Sequence, residues 1–278
     1  MRTETTTPKF TAEIEQAEID AWLDLYAATP ADFAARFRPE ILRAGEVVLT
    51  RCAAIPFVHF NCAMNLGVGT PATEERLDEV LALYAEAGVS AFALFHVPGA
   101  EPAELEGWLT ARGLAPKGGW DRIVRDGAPL LEGVVEAASD LEVEEVTIES
   151  GPEWAAFLDS LYRLPTGPWL QALVGRPGWH HYALRREGKI VAVRTMYLGP
   201  SGFAWLGIEA PVPGLMAASF SLDQRLVERI VRDGLKLGAK GFVADIEAPH
   251  PEGKTPAYER FGALGFRRMY LRGHWRRG

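Results

Sequence analysis

The sequence predicts an α/β fold made of two tandem domains, each a mixed sheet flanked by helices. Three observations lead to this fold class. Hydrophobic residues make up 48% of the 278-residue chain and charged residues 24%, which is ordinary for a protein with a buried core. Strand and helix patterns alternate along the chain. The order strand, loop, helix, strand, helix occurs once in each half, so we expect domains at residues 1–135 and 136–278.

The first half begins with apolar residues at helical spacing over its first forty positions. Further along, Thr70 resembles a helix N-cap and Pro71 fits the first turn of the same helix, which we expect to end at Gly88. The other predicted elements are strands at 46–52, 57–66 and 89–97 and a helix at 102–112. This half therefore has the element order of a small α/β domain.

The second half repeats that order after an acidic joint at 126–150. A turn at 187–189 separates two strands, and Ser221 with Gln224 forms a capping box at the start of a helix. The other predicted elements are strands at 141–148, 181–186, 190–198, 203–210, 242–246 and 267–275 and helices at 152–161, 168–174 and 256–264. The main helices of the two halves start about 150 residues apart, a spacing that fits an internal duplication or a coincidence, since strand–helix alternation is common.

The formal net charge of −8 is unevenly distributed. Residues 1–139 hold 11 Lys and Arg against 21 Asp and Glu, whereas residues 163–278 hold 18 against 9. An anionic ligand would be favoured in the basic part of the chain, although solvated helix faces account for the same charges. Because the basic residues are scattered and the first half is acidic, we expect no nucleic-acid partner.

Composition also bounds location and metal content. No apolar run reaches the roughly 18 residues of a membrane span, and residues 1–16 have no apolar signal region. We therefore expect a cytoplasmic protein with no membrane partner. Cys52 and Cys62 are the only cysteines, and we expect two buried thiols, since a zinc site needs more ligands than His59 adds. No metal is expected.

The second half contains three strand segments and a late helix at 178–183, 188–193, 203–208 and 255–266. In their order and spacing, and with Gly265-Phe266 at the end, these segments resemble the GNAT (N-acetyltransferase) superfamily. Residues 57–125 resemble the degenerate N-terminal half of its two-domain members. The resemblance covers most of residues 45–278 and implies two tandem GNAT-like domains, with acyltransferase activity in the second.

The resemblance further implies that the strands at 203–210 and 242–247 splay apart and hold the pantetheine arm of an acyl-CoA. The expected donor is acetyl-CoA or another acyl-CoA. The pyrophosphate would lie before the helix at Ser221, because a helix N-terminus offers N–H groups and a positive dipole end to an anion. The implied acyl-CoA contacts are Ile208, Ala210, Val212, Gly214, Ala217, Ala218 and Ser219.

The loop at 211–221 departs from the family pattern, which has a basic residue and several glycines there. Only Gly214 is present, and no Arg or Lys occurs before Arg225. Alanines resist the positive φ angles that glycines allow. Two interpretations stay open: either the loop still binds through its alanines, Ser219 and the helix dipole, or coenzyme A binding is weakened or lost.

Acyl transfer to an amine needs a base for the amine and a proton for the leaving thiolate. Glu209, at the end of the cleft strand, is the candidate base, and apolar neighbours would raise its pKa; the alternative is an edge carboxylate facing water. Phe261 replaces the tyrosine that is the family's usual acid, so Tyr258, one turn earlier, is the candidate acid or else a packing residue. Leu109 occupies the same position in the first domain.

Three further residues are candidate substrate contacts. Asp245 and Glu247 share one face of a strand and would bind a cationic amine, or they form a solvated strand end. Arg194 would meet an acyl or substrate carboxylate. We expect a small-molecule substrate, an amine or amino-acid-like compound, and a monomer or homodimer. The rival hypotheses are a catalytically inactive GNAT-fold binding or scaffold protein and a GNAT-fold enzyme that does not use coenzyme A.

Overall fold

A computed structural model describes residues 7–131, 140–211, 220–247 and 256–277, which form two compact units. Within these ranges, the N-terminal unit contains residues 7–122, 247 and 269–277, and the C-terminal unit contains residues 123–246 and 256–268. None of the helices in the described ranges combines the length and the apolar character that crossing a membrane requires.

The N-terminal unit is a mixed sheet with helices. Its elements are α1 (Pro8–Ala27), α2 (Ala31–Phe37), β1 (Glu40–Ala44), β2 (Val47–Arg51), β3 (Cys62–Met64), α3 (Glu74–Glu86), β4 (Ala93–His96), α4 (Leu105–Ala111), most of β5 (Leu114–Asp126) and most of the last strand, β11 (Arg267–Arg277). The strand order is β1-β2-β3-β4-β11-β5, with β3 and β4 parallel. The apolar side chains of α3, spaced three and four apart, are buried in this unit's core, as helical periodicity requires.

The C-terminal unit also combines mixed strands with helices. Its elements are β6 (Leu141–Glu145), α5 (Gly151–Tyr162), α6 (Gly167–Gln171), β7 (Trp179–Arg186), β8 (Lys189–Leu198), β9 (Phe203–Pro211), α7 (Phe220–Lys236), β10 (Gly241–Glu247) and α8 (Pro256–Ala263). The strand order is β10-β9-β8-β7-β6, in which only β9 and β10 run parallel among these neighbours. Leu226, Val227, Ile230 and Val231 of α7 are buried in the core with Phe242 and Phe266.

Several predicted elements differ from the structure in the N-terminal unit. The strand expected at 57–66 is a short 3-10 turn followed by β3, because the buried Asn61 side chain bonds to Cys52 N and to the carbonyl oxygens of Ile55 and Phe57 and folds the chain there. The helix expected from Thr70 and Pro71 begins at Glu74 with Thr73 as its N-cap.

The long strand β5 was not predicted. Its inner part is Trp120-Asp121-Arg122-Ile123-Val124-Arg125, a run in which three charged residues interrupt the apolar ones. All three charged residues are nevertheless buried, at 4% exposure or less. Sequence patterns place a charged residue of a strand at the surface unless its buried partner is known. The carboxylates that pair with Arg122 lie far away in sequence.

Two limits of the compact units fall inside strands, β5 and β11. Ile123, near the end of β5, belongs to the core of the C-terminal unit, and Trp275 of β11 belongs to the core of the N-terminal unit. Among the described residues, the chain passes from one compact unit to the other after Arg122, at Glu247 and after Arg268. The sequence predicts one boundary at 135/136, and that boundary stays a prediction.

The helix that the sequence predicts to start at Ser221 is α7. It begins at Phe220, so Ser221 lies inside it.

The N-terminal unit holds a buried cluster of charges, Glu15 and Glu18 of α1 with Arg122 of β5 and Arg272 of β11. Each carboxylate is ion-paired with both guanidiniums, and all four side chains are at most 3% exposed. Burial alone would raise the pKa of both glutamates, but the two arginines outweigh it and lower the pKa of each. The Tyr270 hydroxyl also donates to Glu15 Oε1 at 2.7 Å.

Candidate functional site

The strands β9 and β10 diverge at one end of the C-terminal unit. Their parallel pairing runs from Phe203 opposite Gly241 to Leu206 opposite Ala244. Beyond these pairs, β9 continues to Pro211 and β10 continues to Glu247. No further register pair joins the two strands over these described residues. The end of the register pairs at Leu206 and Ala244 agrees with the splayed strand pair that the resemblance implied, and the binding of a ligand there stays a prediction.

A β-bulge lies in β9 at the start of this divergence. Val193 faces Ala210 and Thr195 faces Gly207, so two residues of β9, Ile208 and Glu209, stand opposite one residue of β8. Ile208 has a φ of 46°, a left-handed conformation that costs a β-branched residue on the order of 1–3 kcal/mol. Strain of this kind collects at functional sites, because the surrounding fold must hold it in place.

A close packing contact precedes the bulge. A Cβ atom added at Gly207 would fall within the ring of Trp205, two residues earlier on the same face of β9. Trp205 is itself 7% exposed, so its ring has little room to move. The glycine therefore lets the Trp205 ring lie directly against the strand, and the packed ring leaves the backbone before Ile208 little freedom.

Glu209 is paired with a buried arginine on the neighbouring strand. Arg194 Nη2 contacts Glu209 Oε2; the Arg194 side chain is 4% exposed and the Glu209 side chain 46%. The Arg194 guanidinium also lies over the ring of Phe261, 5.4 Å from its centroid. The expectation that Glu209 has only apolar neighbours is therefore wrong, since this cation stabilises the ionised carboxylate.

Tyr162, at the end of α5, reaches the same residue from the other side. Its hydroxyl donates a hydrogen bond to the backbone carbonyl oxygen of Glu209. The pKa of Tyr162 is raised to about 12, mainly by burial and also by the nearby Glu209 charge, while Arg194 acts in the opposite direction. The hydroxyl therefore keeps its proton at neutral pH. Sequence reasoning missed this residue, because nothing in the local pattern links α5 to β9.

The candidate acid Tyr258 is buried. It is 5% exposed and belongs to the core of the C-terminal unit, together with Phe261, which is 3% exposed and packs edge-on against Phe266 at 5.0 Å. The replacement of a tyrosine by Phe261 is thus accommodated by apolar packing. Tyr258 lies in the same helix, α8, and its role as an acid stays a prediction.

The remaining predicted contacts fall into two groups. Ile208 and Ala210 lie in the diverging part of β9, while Asp245 and Glu247 lie in the diverging part of β10, the first partly buried and the second exposed. The structure therefore brings the strand residues to the divergence. The loop positions lie outside the described residues: Val212, Gly214, Ala217, Ala218 and Ser219.

Other polar side chains of the C-terminal unit have packing partners. His181 is buried against Trp154 and Trp179, its Nδ1 lies 2.8 Å from Thr195 Oγ1, and burial lowers its pKa to about 3. In the N-terminal unit, Cys52 and Cys62 are buried free thiols, as expected. Within the part of the chain that the structure describes, no group of three or more His, Cys, Asp and Glu side chains is placed to hold a metal ion.

Comparison with solved structures identifies the fold. The structure is similar to a GCN5-related N-acetyltransferase from Kribbella flavida, with a TM-score of 0.63 at 15% identity over 95% of this chain and 94% of that one. It is also similar to a tandem GNAT protein from the clavulanic acid biosynthesis pathway, solved without AcCoA, with a TM-score of 0.58 at 15% identity over 95% of each chain.

A functionally unknown conserved protein from Staphylococcus epidermidis gives a TM-score of 0.51 at 8% identity over 90% of this chain and 96% of that one. The sequence itself matches no family model and no curated protein. The fold class is therefore defined by structure: this is an α/β protein of GNAT fold. More particularly, the agreement over almost the whole length of a tandem GNAT protein gives it the tandem form, and the predicted resemblance is confirmed at the level of fold.

Proposed function

We propose that the C-terminal unit is an acyl-CoA-dependent N-acyltransferase, using acetyl-CoA on a small amine or amino-acid-like substrate. The observation that carries the proposal is the strained bulge at Ile208, which lies where β9 and β10 separate and sets the carboxylate of Glu209 beside the opening. The printed names of two structural neighbours, an N-acetyltransferase and a tandem GNAT protein, agree with it.

The donor would lie along the backbone of Ile208 and Ala210 and along the loop residues predicted above, and it would supply an activated thioester. In acyl transfer the amine nitrogen bonds to the acyl carbon, the carbon–sulfur bond breaks, and the amine proton leaves. Glu209 is the proposed acceptor of that proton, because a half-exposed carboxylate is open to an incoming amine. Tyr258 is the proposed proton donor to the thiolate, because it lies in α8 one turn before Phe261, the position of the family's usual acid.

Charge near the divergence favours a cationic acceptor. Asp245 on β10 and Glu209 on β9 are carboxylates on the diverging segments of the two strands, and Glu209 is paired with Arg194. An ammonium group approaching them gains electrostatic attraction before it loses its proton. Arg194, behind Glu209, would meet a carboxylate on an amino-acid-like substrate.

A second candidate function is binding without catalysis, or a reaction that does not use coenzyme A. The observation that favours it is the pair of buried aromatic residues in α8: Phe261 has no hydroxyl, and Tyr258 is only 5% exposed. The Arg194 ion pair also weakens Glu209 as a base. This candidate predicts a ligand at the divergence and no turnover.

Calorimetry with acetyl-CoA, and then with free coenzyme A, tests the proposal directly. We expect micromolar binding of acetyl-CoA, weakened when Ala218 or Ser219 is replaced by leucine, because a larger side chain blocks the loop. The matched control is Ala156→Leu on the exposed face of α5, which leaves binding unchanged. An absence of binding at millimolar acetyl-CoA would exclude the acyltransferase and leave the alternatives.

The role of Glu209 is tested by Glu209→Gln, with release of free thiol from acetyl-CoA measured over a panel of small amines. We expect turnover to fall by roughly 10²–10⁴-fold, the range for loss of a general base, while the Kd for acetyl-CoA stays the same. Glu142→Gln, an exposed carboxylate on β6, is the control. Unchanged turnover in Glu209→Gln removes Glu209 from the catalytic residues.

A further inference from the structure

The bulge in β9 receives a hydrogen bond from a helix. Tyr162 is the last residue of α5, and its hydroxyl donates to the carbonyl oxygen of Glu209, directly after the strained residue Ile208. A carbonyl in a sheet ordinarily bonds to the next strand, but β10 has already separated from β9 at this level. The helix α5 therefore supplies a hydrogen-bond donor to the backbone of β9 beyond its last register pair with β10.

This hydrogen bond fixes a whole peptide group. The peptide bond is planar, so the carbonyl of Glu209 and the N–H of Ala210 point in opposite directions within one rigid plane. Holding the carbonyl toward α5 thereby sets the direction of the Ala210 N–H. The bulge interrupts the ladder at Ile208 and Glu209, and the pairing with β8 resumes at Ala210, so the hold acts at the edge of the interruption.

The donor itself is well anchored. Trp154, Ala155 and Leu158 of α5 are each at most 1% exposed and attach the helix to the core. Asp159, three residues before Tyr162, accepts hydrogen bonds from the backbone N–H groups of Thr166 and Gly167 and so ties α5 to the start of α6. Tyr162 therefore extends from an anchored helix, although the residue itself is 43% exposed.

We propose that Tyr162 is a positioning residue that holds the Glu209–Ala210 peptide of the bulge and so orients the β9 backbone toward the acyl donor. This inference rests on the proposed function, because the acyl donor toward which the backbone is oriented comes from that proposal. Arg194 holds the side chain of Glu209 and Tyr162 holds its backbone, so the residue is fixed at both ends.

The test is Tyr162→Phe in the full chain, which removes one hydroxyl and keeps the ring. We expect the Kd for acetyl-CoA to rise about three- to tenfold, the equivalent of one hydrogen bond. We also expect amide hydrogen exchange in residues 203–211 to become faster, with the free energy of unfolding little changed. The matched control is Ser160→Ala, which removes a hydroxyl of the same helix that bonds to Phe157 O within α5.

The outcomes separate the two proposals. If the wild-type chain binds acetyl-CoA and Tyr162→Phe behaves like Ser160→Ala in both measurements, the positioning role is overturned and the proposed function stands. If the wild-type chain does not bind acetyl-CoA, the proposed function fails, and hydrogen exchange alone decides whether Tyr162 holds the bulge. Faster exchange spread evenly over the chain, instead of in residues 203–211, also overturns the positioning role, because it indicates general destabilisation.

Discussion

Each unit of the protein pairs a buried arginine with a glutamate, but the two pairs differ in their access to water. In the N-terminal unit, Arg122 is 0% and Glu18 is 3% exposed. In the C-terminal unit, Arg194 is 4% and Glu209 is 46% exposed. The first pair is enclosed by protein, whereas the second has one member at the surface. The same chemistry therefore serves packing in one unit and leaves a carboxylate available in the other.

The start of α3 in the N-terminal unit disfavours anion binding. In the N-terminal unit, α3 has Glu74 and Glu75 in its first turn, and Thr73 caps it by accepting a hydrogen bond from Arg76 N. Carboxylates at a helix N-terminus stabilise the helix and repel an incoming phosphate. A phosphorylated donor is therefore disfavoured in the N-terminal unit, which supports our placing the activity in the C-terminal one.

The largest effect is expected from Glu18→Gln. Removing this charge leaves Arg122 and Arg272 sharing Glu15 alone in a buried site, which destabilises by about 3–5 kcal/mol. The free energy of unfolding from urea titration measures this loss. Glu79→Gln, whose carboxylate is 49% exposed and paired with Arg76, is the control and costs under about 1 kcal/mol. Equal losses of unfolding free energy in the two variants would show that the buried charge cluster contributes no more than an exposed ion pair.

Acid is expected to weaken the N-terminal unit. Burial lowers the pKa of His59 to about 4 and of His274 to about 3, so the unfolded chain binds protons near pH 6.5 that the folded chain does not. Stability from these histidines is complete above pH 6.5 and is lost as the pH falls toward 4. Glu15 and Glu18, with lowered pKa values, add a further loss below about pH 4.5.

Urea titrations between pH 8 and 4 measure this dependence. His59→Phe keeps the aromatic stack with Phe57 and Trp120 and removes one titrating ring, so it should flatten the curve between pH 6.5 and 4.5. A stability that stays constant from pH 7 to 5 in the wild-type chain contradicts the prediction.

A smaller effect is expected at the bulge in the C-terminal unit. Gly207→Ala places a methyl group against the Trp205 ring and should destabilise by about 1–3 kcal/mol, the usual cost of overpacking. Gly262→Ala in α8 meets open space and should stabilise by up to about 1 kcal/mol, so it serves as the control. Thermal unfolding separates the two variants, and equal stability in both would show that the backbone before Ile208 adapts freely.

The smallest effect on stability is expected from Glu209→Gln. The amide keeps the shape of the side chain and can still accept a hydrogen bond from the buried Arg194, and Glu209 itself is half exposed, so we expect a loss of about 1 kcal/mol. Urea titration beside Glu18→Gln gives the comparison between the units directly. If Glu209→Gln lowers the free energy of unfolding as much as Glu18→Gln does, the Arg194–Glu209 pair is structural. The difference between the two units, on which the placement of the site depends, would then be absent.

The order of elements in the C-terminal unit could be read from the sequence. The alternation of β7, β8 and β9 and the apolar spacing of α7 are local patterns, and the structure agrees with them to within about two residues at most ends. The GNAT resemblance depended on that order and on Gly265-Phe266, so it too could be recognised in advance. Local periodicity carries this information because each residue's burial repeats with its own helix or strand.

Only the tertiary structure decided the rest. The pairing of Arg194 with Glu209 joins residues of neighbouring strands, and the hydrogen bond from Tyr162 joins residues 47 positions apart. The charge of Arg122 in β5 is neutralised by Glu15 and Glu18, which lie more than a hundred positions away. Partners of this kind leave no trace in a local pattern. The sequence therefore determined which elements form and in what order, whereas long-range packing determined which polar groups are enclosed and which one faces the opening.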